Sequence, residues 1–364
     1  MRLPFPNIHS HCTSHRLPPL PFSLPLFKPT PRRPPRWVRM DSSAGPTTTT
    51  SVHHFHRRQK DKIVVVMGAT GCGKTKLSLD VATRFQSEII NSDKMQVYKG
   101  LDITTNKIPI HERMGIPHHL LGFFNPEDGE VSPSEFRLTA RLAISDIVLR
   151  QKLPMVVGGS NSFIHALLVD RFNPAVDVFS GASNQVSTQL SYNCCFIWVD
   201  VSFSLLCDYL CFRVDEMLEA GMFKELLEYY RRVDPMSQPG LRKAIGVPEF
   251  DQYFKKYPPG TGGGEWDEKR RRAYEEAVTE IKENTCQLAK RQIIKIMRLK
   301  GAGWDLQRVD ATEALREAMK VRMASDGGKN NKKRKRKKKK RWMDVWERDV
   351  MEPSMKIVNR FLEE

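Results

Sequence analysis

Eight consecutive residues, Gly68-Ala69-Thr70-Gly71-Cys72-Gly73-Lys74-Thr75, have the types and spacing to grip phosphate. Glycines at 68, 71 and 73 clear side chains from a tight loop, so backbone N–H groups can converge on anionic oxygens. Lys74 adds a mobile positive charge, and the Thr75 hydroxyl can join the shell of a magnesium ion. The pattern Gly-x-x-x-x-Gly-Lys-Thr is a phosphate-cradling loop, the P-loop, and by itself it fits a small-molecule kinase as well as other phosphate chemistry.

A second group with chemical potential is Asp93. The short buried strand Glu88-Ile89-Ile90-Asn91 ends at Ser92-Asp93, and a carboxylate at the carboxyl end of a parallel strand faces the crevice where α/β proteins bind ligands. Asp93 is a candidate general base, or equally a cap on a helix through Met95-Gln96-Val97-Tyr98. Gly158-Gly159-Ser160-Asn161 is another small-residue turn after an apolar run, placed to approach a ligand through its backbone. The turn Gly240–Gly246, with Arg242 and Lys243, reads as a phosphate contact or a solvated connection. Arg291, Lys295 and Arg298 share one helical face, an arrangement more common on a solvated stripe than at a ligand. The adjacent His118 and His119 lack the four-residue spacing of a metal pair on a helix.

Positioning the P-loop requires a strand before it and a helix after it, and the chain supplies both. Ile63-Val64-Val65-Val66-Met67 is β-branched, and Leu77, Val81, Ala82 and Phe85 keep helical spacing. A helix follows over Pro133–Arg150, a strand over Pro154–Val157, and the most hydrophobic strand over Cys194–Val199. Helical patterning then covers 205–230 and 265–299. The reading is an α/β fold, a P-loop NTPase-like parallel sheet flanked by helices, with a smaller helical subdomain. Its parts are a P-loop core over 61–204, containing an atypical loop at 171–191; helices and a return to the core over 205–310; and a C-terminal segment over 311–364.

The net charge of +17 is unevenly spread over the 364 residues. Lys332–Arg341 carries +10 and residues 1–60 carry +9, which leaves the rest near neutral at −2. A broadly basic nucleic-acid-binding surface is therefore not expected. The basic run reads as a disordered insertion over 329–341, either a nuclear-import or polyanion patch or a charged loop without a role. Residues 1–60 are rich in Pro, Arg, Ser and Thr with one acid, Asp41, as in organelle transit peptides, and the prolines favour plastid over mitochondrion. Cytoplasm or nucleus is the alternative address. Seven cysteines form no Cys-x-x-Cys pair, consistent with reduced thiols, and no apolar run is long enough for a membrane span.

Several blocks beyond the P-loop recur together. They are Asn91-Ser92-Asp93-Lys94-Met95-Gln96-Val97-Tyr98, Pro117-His118-His119-Leu120-Leu121-Gly122, Gly158–Ser162, Tyr192–Phe196 with Trp198-Val199-Asp200, Arg213-Val214-Asp215, Ala244–Glu249, Glu283-Asn284-Thr285, Arg291-Gln292 and Arg308–Thr312. In this order, over about residues 60–364, the chain resembles plant adenylate isopentenyltransferases, relatives of the tRNA dimethylallyltransferases. The resemblance implies transfer of a dimethylallyl group from dimethylallyl diphosphate to the exocyclic amine of adenine in ATP or ADP, with AMP a poorer acceptor, as the first step of cytokinin synthesis. It implies a P-loop (Gly68, Ala69, Thr70, Gly71, Cys72, Gly73, Lys74, Thr75) that holds the donor diphosphate, with Mg2+ near Thr75. Thr70 and Lys74 would neutralise the leaving group and Asp93 would accept the amine proton. Ser160, Arg242, Lys243, Lys290 and Arg291 are candidate phosphate contacts. One departure stands out: where the family has arginines before the Tyr192 strand, this chain has Phe179-Ser180 and Leu190-Ser191, so part of the diphosphate clamp is expected to be lost. The alternatives are a tRNA dimethylallyltransferase, or a weakened family member that binds polyanions in the nucleus. The expected partners are the two substrates, with no membrane or nucleic acid, and the protein is expected to be a monomer.

Overall fold

Every residue from Ile63 to Met67 is buried, as a strand covered on both faces requires. This strand, β1 (Lys62–Met67), is central to the computed structural model, which describes residues 60–181, 185–234, 237–258, 267–323 and 331–364. The leader expected over 1–60 falls, except for Lys60, outside the described residues.

The chain continues through α1 (Lys74–Phe85), β2 (Ser87–Asn91), the two-residue β3 (His118–His119), α2 (Pro133–Leu149), β4 (Leu153–Gly158), α3 (Asn161–Leu168) and β5 (Asn193–Asp200). Then come α4 (Phe203–Glu219), α5 (Met222–Arg232), α6 (Val247–Lys256), α7 (Glu268–Gly301), β6 (Leu306–Asp310), α8 (Thr312–Arg322), α9 (Asn331–Trp346) and α10 (Glu352–Glu363). A π-helical turn, Glu347–Met351, joins the last two helices. The six strands form one parallel sheet in the order β3-β2-β4-β1-β5-β6. β1 pairs with β4 at Val65↔Val156 and with β5 at Val65↔Phe196.

Alternation along β1 splits the core in two. Ile63, Val65 and Met67 face α2, α3 and the helices α5–α7, which contribute Phe136, Ile144, Phe163, Phe250 and Ile281. Val64 and Val66 face α1, the start of α4 and the C-terminal helices, which contribute Leu77, Leu206, Trp346, Val350 and Phe361. The helices of 205–310 thus share a core with the sheet instead of closing one of their own. Local signals set several boundaries. Ser132 accepts from the Glu135 N–H at 3.1 Å to cap α2, and Asp267 accepts from the Arg270 N–H at 2.7 Å to cap α7. Gly221, with φ 106, separates α4 from α5. α7, at 34 residues, spans about 50 Å and links the outer helices to the P-loop edge.

Two local readings need correction, and two elements are added to them. Met95–Tyr98 is a turn and not a helix, because the chain closes back on Phe124 through a bridge at Tyr98. The sequence reading assigns no element to α6 or to the edge strand β6; α6 buries Val247, Phe250, Tyr253 and Phe254 at helical spacing, and Gly246, Pro248 and Glu249 start it, the Glu249 carboxylate accepting from the Gly246 N–H at 2.6 Å. The basic run is helix α9 and not a disordered loop. Lys and Arg are good helix formers, and like-charge pairs along a solvated helix cost only about 0.2–0.5 kcal/mol each. Packing on α8 supplies the rest: Arg341 pairs with Glu317 at 3.3 Å and Lys338 donates to the Lys320 carbonyl at 3.3 Å.

Candidate active site

The glycines of the P-loop are dictated by what packs against them. A Cβ on Gly68 would sit 2.4 Å from the Val199 carbonyl of β5, and one on Gly71 would sit 2.7 Å from the Leu210 side chain of α4. Gly73, with φ 96, starts α1 and would place a Cβ 3.0 Å from the Trp346 ring of α9. Three separate elements therefore seat the loop. Cys72 is buried beneath it, and burial pushes its thiol pKa up despite the opposing charge of Lys74, which makes it a packing residue. The Lys74 ammonium arches back over the loop to the Ala69 carbonyl at 2.7 Å.

Thr70 is the meeting point. Its backbone N–H donates to Gln292 Oε1 of α7 at 2.7 Å, and its hydroxyl accepts from Arg213 Nη1 of α4 at 3.5 Å. Gln292 is buried and its amide also fills the space beside Gly159, where a Cβ would lie 2.4 Å from Nε2. Sequence reasoning gave neither Arg213 nor Gln292 a role. A signal existed for Gln292, which interrupts the buried stripe Ala289–Ile296–Leu299 as a polar residue at an apolar position.

The sheet order explains the other half of the site. Because β4 lies between β1 and β2, its turn Gly158-Gly159-Ser160 sits between the P-loop and Asp93. A Cβ on Gly158 would be 2.3 Å from Ser92 Oγ, so the two strand ends close tightly. Ser160 Oγ accepts from the Lys94 N–H at 2.8 Å, pinning the residue after Asp93. Asp93 Oδ1 accepts from the Met95 N–H at 2.9 Å and the Gln96 N–H at 3.4 Å, so the carboxylate does cap the following turn. Its charge is also felt by Arg213, whose guanidinium pKa is held down by burial, with Tyr209 and Asp93 opposing that effect.

The expected basic contacts divide. Lys243 Nζ lies 2.5 Å from Glu130, which also pairs with Lys94 at 3.4 Å, and these lysines hold the Glu130 carboxyl below its ordinary pKa. Gly240 starts this turn because a Cβ there would strike the Tyr98 ring at 2.4 Å, so the turn packs over the segment that follows Asp93. Arg242 is exposed on it. Lys290 and Arg291 are exposed on α7, which presents Gln292 to the loop. Lys295 lies 5.2 Å over the Phe179 ring and Arg298 donates to the Gly181 carbonyl, so the expected charge stripe anchors the atypical stretch instead. The histidine pair diverges: His119 meets Glu88 at 2.8 Å, while the His118 ring meets the Ile116 carbonyl at 2.8 Å. Among the described residues, no three His, Cys, Asp or Glu side chains gather as a metal site, and no helix is long and apolar enough to cross a membrane.

Thr70, Lys74 and Arg213 are groups able to hold a diphosphate, and they lie at the same edge of the sheet as the Asp93 carboxylate. Comparison with known proteins gives the same direction. The IPP transferase family model matches residues 96–188 and 175–296. An adenylate isopentenyltransferase of Humulus lupulus is 57% identical over 310 residues, 82% of this chain and 90% of the relative. Adenylate isopentenyltransferase 1, chloroplastic, of Arabidopsis thaliana is 53% identical over 84% of this chain and 82% of its own length. Other Arabidopsis relatives are also named chloroplastic, and one is named mitochondrial. Among solved structures, a eukaryotic dimethylallyltransferase acting on tRNA superposes with a TM-score of 0.61 at 25% identity, over 83% of this chain and 80% of that one.

Proposed function

The chain belongs to the adenylate isopentenyltransferase family, and we propose that it joins the dimethylallyl group of dimethylallyl diphosphate to the exocyclic amine of adenine in ATP or ADP, with AMP taken less well. The observation that supports this most is the convergence of Thr70, Asp93 and Arg213 of α4 at one end of the sheet, with Ser160, after β4, between the turns that carry Thr70 and Asp93. An allylic transfer must stabilise a departing diphosphate and remove a proton from a weak amine nucleophile. The bond from the amine nitrogen to the first allylic carbon forms as the carbon–oxygen bond to diphosphate breaks. Lys74, Arg213 and the Thr70 hydroxyl take up the charge that develops on the leaving oxygens. Asp93, oriented by the Met95 and Gln96 N–H groups, accepts the amine proton through its carboxylate. Mg2+ would be held beside Thr75, which is exposed in the first turn of α1, and would supply charge neutralisation for the diphosphate, taking most of its ligands from phosphate and water. Arg242 and Lys243, on the turn that packs over the Asp93 segment, would meet the acceptor's phosphates, Lys243 by exchanging its pairing with Glu130 for phosphate.

The leader composition, together with relatives named chloroplastic, supports delivery to the plastid. The test is incubation of the purified protein with dimethylallyl diphosphate, magnesium and, separately, ATP, ADP, AMP and unmodified tRNA, followed by mass analysis. A gain of one dimethylallyl unit on ATP or ADP is expected. Modification of tRNA alone would assign the chain to the tRNA branch, and phosphate transferred from ATP to another acceptor would reject prenyl transfer altogether.

A further inference from the structure

The basic helix has no part in the chemistry above, yet it leads directly to the phosphate loop. Its last residue, Trp346, packs on Gly73, donates from Nε1 to Asp80 at 2.8 Å and lies under Lys76 at 5.0 Å. Trp342, one turn earlier, lies under the same lysine at 5.9 Å. From Trp346 back to Arg341 is about 7.5 Å along the helix, and to Arg336 about 15 Å. On its other side the run packs on α8, whose terminal Arg322 pairs with Glu216 of α4 and covers Tyr209 at 5.4 Å. Tyr209 in turn stands 3.4 Å from where a Cβ on Gly71 would be. Lys337, Lys339 and Lys340 are exposed, and Lys338 meets only a backbone carbonyl among the described contacts, so the charge is not neutralised by acids. Arg341 has its acid, Glu317, but shares it with Lys320.

We propose that this run of α9 is an electrostatic collector for the nucleoside polyphosphate acceptor, raising its capture rate at the P-loop edge without touching it once bound. The proposal rests on the reading of the acceptor given above. A field of one sign beside a cleft raises association rates of oppositely charged ligands by about 10–10³-fold at low ionic strength. The Debye length is about 8 Å at physiological salt, so the Arg341 end acts there and the whole run acts in dilute buffer. The ligand's phosphates are the feature recognised, so the allylic diphosphate shares the effect to a lesser extent through its smaller charge.

The experiment is stopped-flow binding of a fluorescent ATP analogue to the full chain across a salt series. It compares the parent with a variant carrying Lys337→Gln, Lys338→Gln, Lys339→Gln and Lys340→Gln, and with a charge-preserving variant carrying Arg at the same four positions. Inorganic pyrophosphate as competitor reports the donor side. In dilute buffer the Gln variant should bind about tenfold more slowly with an unchanged off-rate, and should converge on the parent at high salt; the Arg variant should match the parent. Equal on-rates for parent and Gln variant would overturn the proposal, as would a change confined to the off-rate. Unaltered on-rates with loss of heparin or RNA retention would assign the helix to a macromolecular polyanion. These rates need no turnover, so absence of a prenylated product would reject the proposed reaction while still leaving the collector judged by its own measurement.

Discussion

Asp93 uses one carboxylate oxygen to cap a turn and is asked to take a proton as well. The two jobs are compatible, because the backbone N–H groups orient the carboxylate while its charge stays available. Asp93→Asn keeps an oxygen acceptor for those N–H groups but cannot accept a proton. Single-turnover rates should fall by about two to four orders of magnitude, with donor affinity retained; an unchanged rate would remove Asp93 from the chemistry. Gln292 makes the opposite case. It never needs to meet substrate, yet Gln292→Ala leaves the Thr70 N–H without its acceptor and opens space beside Gly159. Losing a buried hydrogen-bond partner costs about 1–3 kcal/mol. The expected result is weaker donor binding, read as inhibition by inorganic pyrophosphate, with the pH profile of turnover unmoved.

At the level of elements, the P-loop is held from three directions: β5 at Gly68, α4 at Gly71 and the C-terminal helices at Gly73. The last is the least obvious from the chain order, since Trp346 lies 273 positions after Gly73. Trp346 is buried, and removing a buried Trp side chain costs about 3–5 kcal/mol. Trp346→Ala should therefore lower the denaturation midpoint and also loosen the loop, whereas Trp346→Phe should keep much of the packing and lose only the Asp80 hydrogen bond. Equal urea midpoints for parent and Ala variant would show that the C-terminal helices do not brace α1.

Across the whole molecule, acid sensitivity has a named source. His165, in α3, is buried among Phe172, Phe179 and Trp304, and burial lowers its pKa from 6.5 to about 4, with Arg137 adding to the effect. The unfolded chain takes up this proton near pH 6.5 and the folded chain not until about pH 4, so protons favour unfolding between those values. Stability should be unaffected by this group above neutrality and should decline as pH falls from about 6.5 towards 4. His165→Phe should flatten that part of the curve relative to the parent in urea titrations; superimposable curves would discount His165.

The P-loop, its strand and helix, and the strands ending at Asn91, Gly158 and Asp200 were legible in the residues alone. Their signals are local: a glycine pattern, β-branched runs and helical spacing within a few turns. Nearness to the P-loop also marked Asp93 and Ser160, because parallel strands bring their carboxyl ends to one edge. Arg213 and Gln292 lie far along the chain, and only the crossing of α4 and α7 over that edge brings both to Thr70. The basic run was misjudged for the same reason, since its composition describes a solvated segment but says nothing of α8 beside it. Local propensity therefore determined which segments could cradle phosphate, and tertiary packing decided which distant polar groups complete the cradle, because a helix commits only one face to its neighbour and the sequence does not say which neighbour that will be.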